Sequence, residues 1–274
     1  MSAAAHLATF NDPSVASHYA QLEYLTPCER LLFQRYLKPG MAILDLGVGG
    51  GRTTAYLASR ASRYVGADYA PEMIRFCRAK FPQQEFVVTD ASDLSLFSDA
   101  SFDAVVLAFN AIDSVIPDKK RQQCLRECRR VLRPGGRLIF SSHNPRAVLV
   151  RPGWNRERIR SLAANLIRTL RPFYRIAYVT TFSARVFLAL LTAFWLTCVR
   201  AVHRLPSPAF WRGEGYMLDR SHGGLLTHYF VPKRVVAELQ RSGFGWLVTL
   251  GDDYPRRSGT FVTDWYYYVF ERLD

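Results

Sequence analysis

The chain has 274 residues, of which 49% are hydrophobic and 22% charged, so it can bury a large core and is not a disordered tail. Its net charge of +13 is concentrated in one segment, because residues 145–213 contain twelve Arg and no Lys against a single acid, Glu157. An anionic partner is therefore expected to bind there. The five cysteines are scattered, no zinc-type spacing occurs, and the first thirty residues lack a secretory signal. We expect a cytoplasmic protein with reduced cysteines and no metal.

Short apolar runs and helical patterns alternate from residue 41 to residue 142. In chain order, the pattern predicts strands over 41–46, 64–68, 86–89, 102–109 and 136–142, with helices over 53–60, 71–80 and 122–132. The alternation resumes after Pro232 with a helix over 233–242 and strands over 246–250 and 265–271. Such an order predicts a mostly parallel sheet that is covered by helices on both faces.

A glycine-rich loop follows the first predicted strand and opens a helix. It reads Asp45-Leu46-Gly47-Val48-Gly49-Gly50-Gly51, and its glycines let the backbone approach a ligand closely. An acid before the first glycine would repel phosphate oxygens and suits a ligand that carries an amino group. Asp68 ends the second strand, where a carboxylate can accept hydrogen bonds from ribose hydroxyls. The pair of features predicts a nucleoside site.

These residues resemble the class I S-adenosylmethionine-dependent methyltransferases. The acid-x-Gly-x-Gly-x-Gly signature is complete in Asp45, Gly47, Gly49 and Gly51, and Leu132–Gly136 matches the turn before the fifth strand. The resemblance implies a Rossmann-like α/β fold: a seven-stranded, mostly parallel sheet with its last strand antiparallel and a helical insertion between strands five and six. It also implies S-adenosylmethionine as cofactor.

The resemblance also suggests which residues hold the cofactor. Asp45 and the Gly47–Gly51 loop would hold the methionine portion, Asp68 with the adjacent Tyr69 the ribose, and Asp90 with Ala91 the adenine. Phe109 and Asn110 would flank the methyl donor, and Tyr19 in the entry segment would close over the methionine end. We expect one domain, with a core of residues 25–144 and 232–274 and a substrate-side insertion of residues 145–231.

The insertion differs in composition from the core. Apolar residues at helical spacing between Ile159 and Leu170 predict an Arg-rich amphipathic helix, and Val186–Val199 is a charge-free run of fourteen residues. A membrane-spanning helix needs about 20 residues, so this run alone is too short to cross. Three interpretations remain open: a lid over the acceptor pocket, an anchor on an anionic membrane surface, and, less favoured, a nucleic-acid-binding segment.

Transfer to a hydroxyl group needs a base close to the acceptor proton, and histidine suits that role at neutral pH. His143 ends the fifth strand, while His222 and His228 precede the point where the core pattern resumes. We therefore take these three as candidate bases. The resulting hypothesis is an O-methyltransferase for a small or lipid-linked hydroxylated acceptor, such as a sugar or an isoprenoid-type molecule. It would be cytoplasmic, and the anchor interpretation would place it at the inner membrane face. An RNA methyltransferase and a non-catalytic protein that binds S-adenosylmethionine are the alternatives.

Overall fold

The computed structural model describes residues 3–149, 182–219, 224–252, 254–255 and 259–274. In this part of the chain, seven strands form one sheet in the order β3-β2-β1-β4-β5-β9-β8. The strands are β1 (Ala42–Leu46), β2 (Arg63–Asp68), β3 (Glu85–Val88), β4 (Phe102–Leu107), β5 (Leu132–His143), β8 (Phe244–Gly251) and β9 (Trp265–Arg272). The first five are parallel, whereas β9 runs antiparallel to both of its neighbours. The predicted fold is confirmed.

Helices lie on both faces of this sheet. They are α1 (Ala3–Phe10), α2 (Pro13–Ala20), α3 (Pro27–Tyr36), α4 (Thr54–Ala58), α5 (Pro71–Lys80), α6 (Asp118–Val131), α7 (Phe182–Arg204), α8 (Pro208–Arg212) and α9 (Pro232–Arg241). One core packs Leu125 of α6 and Leu239 of α9 against the sheet, and the other packs Phe33 of α3 and Ile74 of α5 against its opposite face. Burial on both faces explains why the central strands are almost continuously apolar.

The parallel order sets the position of the site. The carboxyl ends of β1, β2 and β4 meet at one edge of the sheet, and the strand order reverses between β1 and β4. Ligands of open α/β sheets bind at such a switch point, in the crevice outside the strand ends. Asp45, Asp68 and the residues after Leu107 therefore converge, although they are far apart in the sequence.

The insertion contains strands as well as helices, so the prediction of a helical insertion is incomplete. Strands β6 (Glu214–Asp219) and β7 (Leu225–Phe230) pair antiparallel in a separate two-stranded sheet. The predicted Arg-rich helix between Ile159 and Leu170 lies outside the described residues. The division into a core and an insertion at residues 145–231 stays a prediction.

Helix α7 is longer than the charge-free run that it contains. It spans 23 residues, or about 34 Å, and its window Phe187–Arg204 is long and apolar enough to cross a membrane by length and composition alone. The estimate that this segment is too short to cross came from the charge-free run alone, and it is corrected because the helix extends beyond that run at both ends, from Phe182 to Arg204.

Candidate functional site

The glycine loop is closely covered by neighbouring backbone. At Gly47, where φ is +74°, an added Cβ would lie 2.7 Å from the Cβ of Ala111. At Gly50 it would lie 2.3 Å from the carbonyl carbon of Tyr19, at the end of α2. Side chains at either position would therefore separate the loop from the elements that close over it. This close approach is the physical reason for glycine at these two positions.

Asp45 lies behind the glycine loop. Its Oδ2 accepts hydrogen bonds from Thr53 Oγ1 at 2.6 Å and from the Tyr64 hydroxyl at 2.9 Å. Burial raises the pKa of Asp45 to about 6, although both of these hydrogen bonds lower it. Neither Asp45 nor Gly51 is among the residues that line the cavity at the strand ends. Asp45 Oδ1 is buried and has no hydrogen-bond partner among the described residues, and its predicted contact with the methionine portion stays a prediction.

Asp68, by contrast, lies at the cavity. Its Oδ2 accepts a hydrogen bond from the Gly49 amide and its Oδ1 accepts one from the Ala70 amide, both at 2.9 Å. A carboxylate has about four lone-pair sites, and its three backbone donors leave one for a ligand. Burial raises the pKa of Asp68 to about 6, and the backbone hydrogen bonds oppose that rise. At neutral pH the carboxylate is therefore mainly ionised and can accept a hydrogen bond from a hydroxyl group.

The cavity outside the strand ends has a volume of about 560 Å³, a size typical of small-molecule sites. Most of the predicted site residues line it: Tyr19, Gly47, Gly49, Asp68, Tyr69, Asp90, Ala91, Phe109, Asn110 and His143. The structure brings these ten residues to one place, as expected from the order of the strands. Their individual contacts with a cofactor stay predictions.

Asp90 is already paired with a cation. Lys120 Nζ lies 2.6 Å from its Oδ2, and Ser92 donates to its Oδ1 through the hydroxyl at 2.7 Å. Burial raises the pKa of Asp90, but the hydrogen bonds from Lys120 and Ser92 outweigh it, so the net shift is downward. The ion pair is nearly half exposed, and such pairs contribute little to stability. Lys120 can therefore yield to a ligand that donates to Asp90.

The turn after β4 is held in an uncommon conformation. Phe109 and Asn110 have φ values of +54° and +64°, in the left-handed region, which costs a non-glycine residue energy and is common at functional sites. The backbone N–H of Asn110 donates to Ser141 Oγ at 2.8 Å, and the Arg52 guanidinium stacks 4.8 Å from the Phe109 ring centre. These contacts hold both side chains at the cavity.

A buried carboxylate holds His143. Asp113 Oδ2 lies 2.7 Å from His143 Nδ1 and accepts the His143 backbone amide at 2.8 Å, while Asp113 Oδ1 accepts the Ser142 hydroxyl. Because a carboxylate only accepts, Nδ1 carries the proton and the lone pair is on Nε2, 3.2 Å from Asn110 Nδ2. Burial raises the pKa of Asp113, although the hydrogen bonds from His143 and Ser142 lower it. Asp113 and His143 both line the cavity.

The other two candidate bases are His228 and His222. His228 is buried beside the rings of Tyr216 and Phe230 and does not line the cavity, so its role as a base stays a prediction that this placement does not support. Burial first, and the charge of Arg121 second, lower the pKa of His228 to about 4. His222 lies outside the described residues.

Sequence reasoning did not identify several residues that line the cavity. They come from the N-terminal helix α1 (His6, Leu7 and Phe10), from the two-stranded sheet (Asp219, Leu225 and Thr227), and from Arg52, Asp113, Lys120 and Trp265. Asp113 carried a signal, because it falls four residues after Phe109 in the loop at the end of β4, where site residues are expected. The α1 and β6–β7 residues carried none, since they close over the cavity from elements outside the alternating core.

Comparison with known proteins identifies the domain. Residues 44–140 match the family model described as "Methyltransferase domain", and these residues contain β1 to β4, the glycine loop, Asp68 and Asp113. These matched residues form a methyltransferase domain, and the fold around them is that of S-adenosylmethionine-dependent methyltransferases. S-adenosylmethionine is therefore its cofactor.

Two curated relatives illustrate the range of names within this methyltransferase family. The chain is 38% identical over 120 residues to the demethylmenaquinone methyltransferase of Clavibacter sepedonicus, which is 42% of this chain and 47% of the relative. It is 36% identical over 121 residues to the fatty-acid O-methyltransferase of Mycolicibacterium smegmatis, or 43% of this chain and 42% of the relative. The chain thus spans less than half the length of these two relatives.

Solved structures share the fold of this methyltransferase over nearly its whole length. A methyltransferase of Methanosarcina mazei has a TM-score of 0.54 and 22% identity over 92% of this chain and 99% of its own. The Burkholderia thailandensis 1,6-didemethyltoxoflavin N1-methyltransferase, solved with S-adenosylhomocysteine, has a TM-score of 0.57 and 14% identity over 100% of this chain and 92% of its own. At these identities the likeness shows the fold.

The residues present fit the cofactor. Asp68 offers a free carboxylate lone pair, and the buried Asn110 Oδ1 and Tyr69 hydroxyl have no hydrogen-bond partner in the described part of the chain. Hydroxyl and amino groups of a nucleoside are the natural partners of such acceptors, because an unpaired buried polar atom costs about 1–3 kcal/mol.

Proposed function

We propose that this protein transfers a methyl group from S-adenosylmethionine to a hydroxyl group of an apolar acceptor, either small or lipid-linked. The Asp113–His143 pair carries the proposal, because it lies in the same cavity as Asp68 and the glycine loop. A hydroxyl acceptor needs a base, and His143 presents an unprotonated Nε2 to that cavity.

In the proposed site, Asp68 and Tyr69 hold the ribose, Asp90 and Ala91 the adenine, and the loop of Gly47 and Gly49 the methionine portion. Tyr19 covers the methionine end, and Phe109 and Asn110 flank the methyl donor. S-adenosylmethionine supplies a methyl group that is already activated by its sulfonium. The protein therefore mainly aligns donor and acceptor, which can lower the barrier by roughly 7–11 kcal/mol.

His143 would remove the acceptor proton. Its Nε2 would take the hydroxyl proton while the methyl group leaves the sulfonium for the acceptor oxygen, which releases S-adenosylhomocysteine. Its Nδ1–H would stay bonded to Asp113 Oδ2. The charge that forms on the imidazole is stabilised by the buried Asp113 carboxylate. Asn110 Nδ2 lies 3.2 Å from Nε2 and donates to its lone pair, so the acceptor hydroxyl would have to take the place of this hydrogen bond.

The lining supports an apolar acceptor. Besides the Asp113–His143 pair, the cavity is lined by apolar side chains that include Leu7, Phe10, Ile116, Leu225 and Trp265, and apolar side chains favour an apolar ligand. The names of the two curated relatives also support a lipid-linked acceptor. An RNA acceptor, or a protein that binds the cofactor without using it, remains the alternative. We place the protein in the cytoplasm, at the inner membrane face.

The test uses methyl-labelled S-adenosylmethionine and a bacterial cell extract. We expect the label in the organic fraction, and none there with His143→Gln, whose affinity for S-adenosylhomocysteine should equal that of the wild type. Label in the RNA fraction would mean that the acceptor is RNA instead of an apolar molecule. No transfer to any fraction would support the non-catalytic alternative. Equal transfer by His143→Gln would disprove the role of His143.

A further inference from the structure

The outward side of α7 is apolar. Large hydrophobic side chains are exposed along most of its length, with fractional exposures of 44–69%: Phe187, Leu190, Leu191, Phe194, Trp195 and Val202. Phe187, Leu191, Phe194 and Val202 follow a spacing of three, four and eight residues, which places them along one side of a helix. We call these six residues the α7 apolar face.

The inward side of the same helix is small and polar. Ala189, Thr192 and Ala193 are buried against the domain. Arg200 forms an ion pair with Asp264 at 2.5 Å, and Arg204 Nη1 donates to the carbonyl oxygens of Asn144 and Ala147 at 2.8 and 2.7 Å. A surface helix in water has the opposite arrangement, with its apolar side inward. The exposed apolar face therefore needs a partner.

The charge around α7 indicates the kind of partner. No Asp or Glu occurs between Glu157 and Glu214, and α7 and α8 contain Arg200, Arg204 and the exposed Arg212. An apolar face within an acid-free, basic segment is typical of helices that lie on anionic lipid. The contacts of Arg200 and Arg204 hold α7 along the domain, which suits a helix lying in the surface plane.

We propose that the α7 apolar face binds the surface of an anionic lipid bilayer. The face enters the boundary between headgroups and acyl chains, about 5–10 Å deep. The exposed Arg212 and the acid-free composition of the segment favour the headgroup phosphates. The inward contacts stay intact, so α7 remains attached to the methyltransferase domain while it binds.

Docking through α7 also places the cavity close to lipid. The Arg204 guanidinium lies 5.7 Å from the Tyr229 ring centre, and the Tyr229 ring lies 4.9 Å from that of His143. The docking face is thus on the far side of the helix that contacts the neighbourhood of His143. Entry of a lipid-linked acceptor from the bilayer rests on the proposed function, whereas membrane binding itself does not.

Vesicle sedimentation tests the proposal with the full chain. We expect co-sedimentation with vesicles of phosphatidylglycerol and phosphatidylcholine in equal parts, and far weaker binding to phosphatidylcholine alone. Phe194→Glu should lower the partition coefficient about tenfold or more, because it puts a charge into the face that enters the lipid. Leu96→Glu is the matched control, since Leu96 is 65% exposed and lies in the β3–β4 connection; it should bind like the wild type.

Two further measurements show whether a loss of vesicle binding comes from the α7 apolar face itself. They exclude unfolding of the variant and damage to the cofactor site as its cause. Phe194→Glu and Leu96→Glu should share one thermal midpoint and one affinity for S-adenosylhomocysteine, because neither residue lines the cavity. If Phe194→Glu fails to fold, Val202→Glu at the same face replaces it. Normal vesicle binding with no methyl transfer would reject only the proposed function.

Cys198 offers a direct probe. It is the exposed cysteine of α7, and the other four cysteines are buried. A polarity-sensitive dye on Cys198 should shift to the blue when anionic vesicles are added. Three outcomes would overturn the proposal: a wild type that stays in solution, equal binding by Phe194→Glu, or a wild-type dimer that Phe194→Glu converts to a monomer without any vesicle binding. The last would assign the face to a second copy of the chain.

Discussion

At the scale of single residues, Asp113 controls which nitrogen of His143 is free. It is fully buried, and its Oδ2 accepts both the His143 amide and Nδ1. Without this acceptor the imidazole can rotate or protonate on Nε2, and the proposed base would lose its lone pair toward the acceptor. Asp113 is therefore a positioning residue, which acts through His143.

We expect Asp113→Asn to lower kcat about 10²-fold, within the range that general bases contribute, with unchanged affinity for S-adenosylhomocysteine. Ser142→Ala is the control, because it removes the other hydrogen bond to Asp113 and leaves His143 in place; its kcat should fall only slightly. Steady-state kinetics and calorimetry provide the two measurements. A loss of cofactor affinity that matches the loss of kcat would indicate a structural role only.

Asp68 should make cofactor binding depend on pH. Burial raises its pKa to about 6, so acidification protonates it and removes the acceptor that the ribose hydroxyls need. Affinity for S-adenosylhomocysteine should fall about tenfold between pH 8 and pH 5. Asp68→Asn should bind weakly at pH 8 and show a flat profile. A profile that persists in Asp68→Asn would assign the titration to Asp45, whose pKa is also about 6.

At the scale of elements, a buried ion pair joins α3 to the helix that follows the glycine loop. Arg52 binds both carboxylate oxygens of Glu29 at 2.7 and 2.5 Å, and the two side chains are 6% and 2% exposed. Glu29 also closes the capping box of α3 with Thr26. Glu29→Gln leaves the Arg52 charge buried without its partner.

We expect Glu29→Gln to lower the free energy of unfolding by about 3–5 kcal/mol, the usual result of removing one partner from a buried pair. Glu85→Gln is the matched control, because the Arg63–Glu85 pair is 48% exposed on both sides and should contribute less than about 1 kcal/mol. Urea unfolding measures both. Equal losses in the two variants would show that burial of the Arg52–Glu29 pair has no special energetic effect.

The alternating core was predictable from sequence because each of its elements has a local signal. Buried strands are apolar runs, and α5 was predicted with its observed bounds, Pro71–Lys80. The glycine loop, Asp68 and Asn110 follow from the rule that ligands bind at carboxyl strand ends. The contributions of α1 and of β6–β7 were not predictable, because the contact of His6 with the Leu226 carbonyl joins positions 220 residues apart.

At the scale of the whole molecule, buried titratable groups link global stability to pH in opposite directions. Burial raises the pKa values of Asp45 and Asp68 to about 6, so their stabilising contribution is present below pH 3.8 and is lost as pH rises through about 6. His228 has the opposite sign. Its pKa falls to about 4, so its contribution is present above pH 6.5 and is lost as pH falls through about 4.

Replacing His228 isolates its contribution, because the other groups cancel when the two proteins are compared. Between pH 7 and pH 5 the buried imidazole should cost the wild type roughly 2 kcal/mol of unfolding free energy that His228→Leu does not lose. Leucine keeps the site apolar between Tyr216 and Phe230. Urea unfolding of both proteins at pH 7, 6 and 5 gives the difference, and parallel pH dependences would mean that His228 can take up a proton in the folded state without penalty.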